Sequence, residues 1–300
     1  MFKFLQATII LLLANSVGAS SQPADIKHRR VDSKLGSIEH EYQLKIGVYA
    51  LDTNNGSVIT YHANDRFPFQ STCKFMGVAA LLAQEPHSHL LQKKVLIRPQ
   101  DLLFWHPISG KYVNQSVALQ TLAEGALSYS DNPAINIIIN QLGGLTAINQ
   151  FAQSIGNSSF KMEHLEINLN SNPKKDADTS TPQDMGLSVQ KILLGTVLNA
   201  EGKALLVDWM RNNTTGYKRI RAGVPLGWAV ADKTGSGSYG IANDIGIAWS
   251  PACKPVVLSI FTISDKSNAH PNDEVIAKIT HALFEEFEQH DACYQATHLN

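Results

Sequence analysis

Three side chains able to attack an electrophile fall within four positions of one another, in Gln70-Ser71-Thr72-Cys73-Lys74-Phe75. A thiol is intrinsically the better nucleophile, but the spacing favours the hydroxyl. On an α-helix, residues three apart share a face and residues two apart do not. Ser71 and Lys74 therefore point together, while Cys73 turns toward the packing as a small apolar residue. A serine hydroxyl needs a base to take its proton. A lysine amine serves once burial or a nearby positive charge lowers its pKa. A Ser-x-x-Lys match alone is expected about once by chance in a chain of this size. Two further tripeptides follow it in order: Ser130-Asp131-Asn132 at the entry to a helix, and Lys233-Thr234-Gly235 on a late strand.

The elements that must position these groups can be read from periodicity. Residues 43–51 alternate, with Leu44, Ile46 and Val48 on one face. The turn signal "DTNNGS" and the run "VITYH" complete a hairpin. Near the other end, residues 228–235, 244–250 and 255–264 read as three strands. A helix starts at Asn272, its N-cap, with Val275, Ile279, Leu283 and Phe287 in one stripe. Between these lie helical stretches at 74–84, 132–142, 145–155 and 182–195. The expected fold is α+β: a five-stranded antiparallel sheet with flanking helices and an inserted all-helical subdomain. The expected divisions are an α/β subdomain over 20–66 and 213–300 and a helical subdomain over 67–212.

Composition narrows the function classes. The chain has 300 residues, 44% hydrophobic and 17% charged, with a net charge of -1. That balance offers no basic surface for nucleic acid. The eleven histidines are scattered, without HExxH or a paired CxxC, so neither a metal nor a cofactor is expected. Residues 1–19 have a basic start, an apolar centre at Ile9–Leu13 and small residues at Val17-Gly18-Ala19. They read as a secretory signal cut near Ala19. The apolar run is too short for a membrane span, and the mature protein is expected in the periplasm without stable membrane association.

The three cysteines, Cys73, Cys253 and Cys293, allow at most one bridge. The strand at 255–264 travels about 33 Å, and the helix from Asn272 returns about 27 Å. Packed antiparallel, the two bring Cys293 near Cys253, and a disulfide between them is expected.

In that order and on those elements, Ser71-x-x-Lys74, Ser130-Asp131-Asn132 and Lys233-Thr234-Gly235 form a signature of class A β-lactamases and penicillin-binding proteins. The chain resembles a class A serine β-lactamase over nearly all of its mature length. Glu166-Ile-Asn-Leu-Asn170 is similar to the family's omega-loop motif, and "DTSTP" at 178–182 to the exit of that loop. The resemblance implies hydrolysis of a β-lactam by an acyl-enzyme, by a monomer. Ser71 would attack, and the N–H groups of Ser71 and Ser236 would hold the oxyanion. Lys74 or Glu166 would act as base for acylation, and Ser130 would relay the proton. Glu166 and Asn170 would hold the hydrolytic water. Trp105 and Asn132 would border the substrate side chain. Lys233, Thr234, Gly235, Ser236 and Arg219 would hold the substrate carboxylate, Arg221 being the competing arginine. Asp131 is expected to support its loop and Asn136 to brace the omega loop. Without the deacylating pair, the same motifs would suit a peptidoglycan DD-peptidase or a β-lactam sensor that acylates and stops.

The chain also departs from the family pattern. His164 stands where many relatives carry an arginine facing the loop's aspartate, here Asp178. Ile167 replaces a common proline, and the loop is one residue shorter. Trp105, Ser236 and Tyr239 are similar to broad-spectrum carbapenemases. Gln70 and Gly237, however, occupy the positions of that group's bridging cysteines, and carbapenem hydrolysis is not assigned.

Overall fold

The computed structural model describes residues 29–295; the expected signal segment lies outside them. Helix α1 (Arg29–Tyr42) leads into the hairpin of β1 (Lys45–Asp52) and β2 (Val58–Tyr61). Its turn is closed by the Asn54 N–H donating to Asp52 Oδ1 at 2.8 Å. Short strand β3 (Phe67–Pro68) precedes a 3₁₀ turn, Gln70–Thr72, that runs directly into α2 (Cys73–Ser88). The chain continues through β4 (Lys94–Leu96), β5 (Ser116–Ala118), α3 (Leu119–Ser128), α4 (Asn132–Gln141) and α5 (Leu145–Ser154). After a long loop come β6 (Thr179–Ser180), which pairs with β3, then α6 (Pro182–Leu193), α7 (Ala200–Arg211) and α8 (Ile220–Gly223). The last elements are β7 (Ala229–Gly237), β8 (Ile241–Trp249), β9 (Val256–Ile263), α9 (Asp273–His290) and α10 (Ala292–Gln295).

The main sheet has five antiparallel strands in the order β2-β1-β9-β8-β7, as expected. One face carries Ile46, Val48, Leu258 and Ile260, which pack against Val31 and Leu35 of α1 and Val275, Ile279 and Leu283 of α9. The other face carries Tyr49, Leu51, Ile245, Ile247 and Phe261, which join the core of α2, α4 and α6. Central strand β9 is therefore buried along its whole length, which explains its unbroken apolar run.

Several boundaries shift from the sequence reading. Strand β8 begins at Ile241 rather than 244, because Ser238-Tyr239-Gly240 turns tightly. Tyr239 and Gly240 there have φ of 59° and 63°. Helices α1, α3 and α7 were not expected. In α1 the apolar positions Val31, Leu35 and Ile38 do recur at helical spacing. Helix α3 starts from Ala118, which offers no side-chain cap. The expected Cys253–Cys293 bridge is present, with Cα atoms 5.8 Å apart, where β9 leaves and α9 returns.

Candidate active site

The 3₁₀ turn before α2 sets the angle of Ser71. Gln70 sits at φ 48°, and the Thr72 Oγ1–H donates to Phe69 O at 2.7 Å. Ser71 and Lys74 then share a face, with Lys74 Nζ 2.8 Å from Ser71 Oγ. Lys74 is fully buried. Its amine also donates to Asn132 Oδ1 (2.6 Å) and Ser130 O (2.9 Å) and lies 3.2 Å from Ser130 Oγ. Cys73 faces the core at 1% exposure, and burial, followed by the Glu166 charge, pushes its thiol well above the ordinary cysteine range.

Asp131 explains how Ser130 and Asn132 reach this cluster. It caps α4 by accepting from the Ala134 N–H (2.9 Å), and it accepts from the Ile108 and Ser109 N–H groups (2.9 and 2.8 Å). Asn132 is then fixed by donating Nδ2–H to Phe104 O (2.8 Å) and its own N–H to Trp105 O (3.1 Å). Trp105 has φ 66° and donates its indole N–H to Tyr129 O (2.8 Å), leaving the ring 51% exposed on the cleft wall.

Strand β7 is an edge of the sheet. The Ala242 N–H and C=O both engage Thr262 Oγ1 on β9 (3.2 and 2.7 Å), so they point away from β7. Its partner Ser236 is therefore in a non-hydrogen-bonded pair, and the Ser236 N–H points out of the sheet. Lys233 Nζ lies 3.2 Å from Ser130 Oγ and donates to Thr234 O at 2.9 Å. Burial first, and the charge of Lys74 second, bring the Lys233 amine down to about 7. Beneath the strand, burial and then the charge of Asp232 hold the Asp244 carboxyl well above the usual carboxylate range. Arg219 donates to Gly235 O (2.8 Å), Asn243 O (2.7 Å), Ser236 Oγ (2.6 Å) and Asp273 Oδ1 (2.8 Å). Arg221 instead pairs with Asp232 at 2.6 Å and donates to Met210 O, so Arg219 is the arginine at the cleft.

Glu166 closes the site from the loop before β6. Its Oε1 accepts from Ser71 Oγ at 3.0 Å and lies 3.0 Å from Lys74 Nζ. The Glu166–Ile167 peptide is cis. The loop is organised by buried Asp178, which accepts from the N–H groups of Glu163, His164 and Asn170 at 2.8–2.9 Å and faces His164 Nδ1 at 2.7 Å.

Asn170 lies four residues further along the same loop. Its amide donates to Asn172 O, Lys175 O and Ala177 O (3.2, 3.3 and 2.9 Å), and its Oδ1 accepts from the Asn172 N–H (2.8 Å). The side chain ties the loop to itself, and its Oδ1 can accept a second hydrogen bond beside that of the Asn172 N–H.

These groups line a cleft of about 900 Å³, within the range of small-molecule sites. Phe104, Thr215 and Lys218 also line it, and the sequence reading did not single them out. Thr215 hydrogen-bonds Thr234 through the two hydroxyls. Its only advance signal was its place in the "TTGYKR" segment that approaches β7. Among the described residues, no group of three or more His, Cys, Asp or Glu is placed to hold a metal ion.

A family model described as "Beta-lactamase enzyme family" matches residues 30–287. Beta-lactamase 3 of Bacillus cereus is 45% identical over 252 residues, covering 84% of this chain and 79% of that protein. A β-lactamase structure from Desulfarculus baarsii superposes with a TM-score of 0.85 at 37% identity, covering 87% and 98% of the two chains. A class A β-lactamase structure from Clostridium kluyveri superposes with a TM-score of 0.84 at 35% identity, covering 87% and 99%.

Proposed function

Since the chain belongs to the class A serine β-lactamases and hydrolyses β-lactams, we propose that it does so in two steps, with Ser71 acylated and Glu166 driving deacylation. The observation that carries this reading is the single point where Lys74 Nζ and Glu166 Oε1 both meet Ser71 Oγ, at 2.8 and 3.0 Å.

In the first step Ser71 Oγ bonds to the lactam carbonyl carbon, and the ring C–N bond breaks. The Oγ proton leaves to Lys74 or to Glu166, both in hydrogen-bond reach. It arrives on the departing nitrogen through Ser130 Oγ, 3.2 Å from Lys74 Nζ. The N–H groups of Ser71 and Ser236 stabilise the oxyanion from fixed positions. Lys233, Thr234, Ser236 and Arg219 hold the substrate carboxylate beside Gly235. Asn132 and Trp105 border the substrate's side chain. In the second step Glu166 takes a proton from water, whose oxygen bonds to the ester carbonyl carbon. The bond from that carbon to Ser71 Oγ then breaks, and the proton passes from Glu166 to Oγ, directly or through Lys74, restoring both groups. Asn170 shares in holding this water, through the lone pair of Oδ1 that the Asn172 N–H leaves over. The mature protein acts as a periplasmic monomer after cleavage near Ala19; no described helix is long and apolar enough to cross a membrane.

The test is nitrocefin turnover with intact-protein mass measurement. Wild type should turn over steadily. Glu166→Ala should release one equivalent of colour and retain the acyl adduct, and Ser71→Ala should do neither. Wild type that stalls after one equivalent would make this a trap or a DD-peptidase. Glu166→Ala turning over at the wild-type rate would remove Glu166 from its role.

A further inference from the structure

The side chain of Gln70, immediately before the nucleophile, lies between strand β7 and the loop that carries Glu166, at 7% exposure. Its Nε2 donates to Asn170 O at 2.7 Å and to Ser171 Oγ at 3.1 Å. The fit against β7 is tight. A Cβ on Gly235 would come 2.7 Å from Phe69 O and 3.1 Å from Gln70 Cβ. One on Gly237 would come 2.9 Å from Gln70 Cδ and 3.0 Å from Ser171 Oγ. The bare strand edge at these two glycines gives the Gln70 amide its place. On the next residue back, the Phe69 N–H donates to Asp178 O at 3.0 Å. Besides the Ser71–Glu166 hydrogen bond itself, the nucleophile turn is thus joined to the loop by the Phe69 backbone and by the Gln70 side chain.

We propose that Gln70 is a positioning residue for deacylation: its amide holds the Asn170–Ser171 backbone and so sets the separation between the Glu166 carboxylate and the Ser71 ester. The inference rests on the reading that Glu166 drives the second step. The two partners are covalently remote, 95 residues apart. Their separation therefore depends on contacts between the turn and the loop. Glu166 is itself clamped by Asn136 on α4, and Asp178 ties the Asn170 N–H within the loop, but the Asn170–Ser171 stretch still needs an anchor to the turn itself. Asn170 cannot supply one with its side chain, which bonds only within the loop. Its carbonyl does, through Gln70. Acylation by way of Lys74 uses Ser71, Lys74 and Ser130 on the helical side of the cleft, with the Ser236 N–H on β7, and needs no water placed by the loop. It should depend far less on this contact.

The test compares Gln70→Met, which keeps the length of the side chain without a donor, and Gln70→Glu, which sets a carboxylate against the Asn170 carbonyl. Stopped-flow kinetics with a penicillin separates the acylation and deacylation rate constants. Both variants should lose deacylation by about tenfold or more, as misplacement of catalytic groups does. Acylation should stay within about threefold, so acyl-enzyme accumulates. The retained acylation rate also serves as the folding control. An unchanged deacylation rate would overturn the proposal. So would acylation and deacylation falling together with the melting temperature, since Gln70 would then be a packing residue only. Glu166→Ala, run alongside, tests the underlying reading separately: if it deacylates normally, that reading fails and the proposal with it.

Discussion

Asn136 holds the Glu166 peptide unit from both ends, donating Nδ2–H to Glu166 O at 2.7 Å and accepting from the Glu166 N–H at 3.0 Å. Asn136 lies one helical turn after Asn132, so one face of α4 holds both a contact of Lys74 and the backbone of Glu166. Asn136→Ala removes both bonds and leaves two backbone groups of Glu166 without that partner. The expected cost is about 1–3 kcal/mol of stability, together with a deacylation loss of about tenfold. Asn136→Asp keeps the acceptor but opposes the Glu166 carbonyl with a second oxygen, and should recover little. Urea unfolding and single-turnover kinetics check both. Wild-type stability and deacylation in Asn136→Ala would show that the clamp is dispensable.

Ser71, not Cys73, should carry the acyl group. The thiol is 1% exposed, and burial disfavours its thiolate, the reactive form. Cys73→Ala should keep most activity and full labelling by a fluorescent penicillin. The deleted sulfur should cost on the order of 1 kcal/mol of stability through the small cavity left. Ser71→Ala should lose labelling entirely. The reverse pattern, with label lost only in Cys73→Ala, would reassign the nucleophile.

The parts of the site that are local in sequence were legible there. Ser71 and Lys74 are three apart on one helix, so spacing alone put them on one face, and Ser130-Asp131-Asn132 was read at the entry to a helix, whose cap the structure assigns to Asp131. The paired strand periods gave the five-stranded sheet and, through β9 and α9, the disulfide. Glu166 was found only by resemblance, because its reach to Ser71 is set by Asn136, 30 residues away in sequence, and by the fold of the loop. The loop contacts of Asn170 were not legible either, since a side chain's partners depend on how its loop closes and not on its spacing from Glu166. Gln70 gave no signal as a positioning residue. Its role exists only where β7, the 3₁₀ turn and the loop meet. Helix α3 was missed because its N-terminus has no side-chain cap to announce it.

The Cys253–Cys293 bridge should leave one titratable thiol, Cys73, in the denatured, unreduced protein. Three would refute the bridge. The cysteines are 40 residues apart, and closing a loop of that size is worth up to about 4 kcal/mol through the unfolded chain. Cys293→Ala should lower the midpoint of urea unfolding accordingly. Nitrocefin turnover in the folded state should be retained, because the bridge lies before the start of β9 and after the end of α9, and not in the cleft. Equal midpoints for the two proteins would mean that the bridge adds no stability.

Lys233 predicts the alkaline side of the pH profile. Burial and the charge of Lys74 bring its amine to about 7, so in the free enzyme it is charged below that pH and loses its proton above it. The charged form is the one that attracts a substrate carboxylate. The ratio kcat/KM, which reports the free enzyme, should therefore decline as pH rises through about 7 for carboxylate-bearing β-lactams. Bound substrate places a negative charge beside the amine and favours the ammonium, so the corresponding limb in kcat should lie at higher pH. In Lys233→Arg the guanidinium stays protonated throughout. Its kcat/KM should be lower overall, because the larger group must enter a fully buried position, but it should no longer decline near neutrality. A decline at the same pH in both enzymes would assign that titration to a different group.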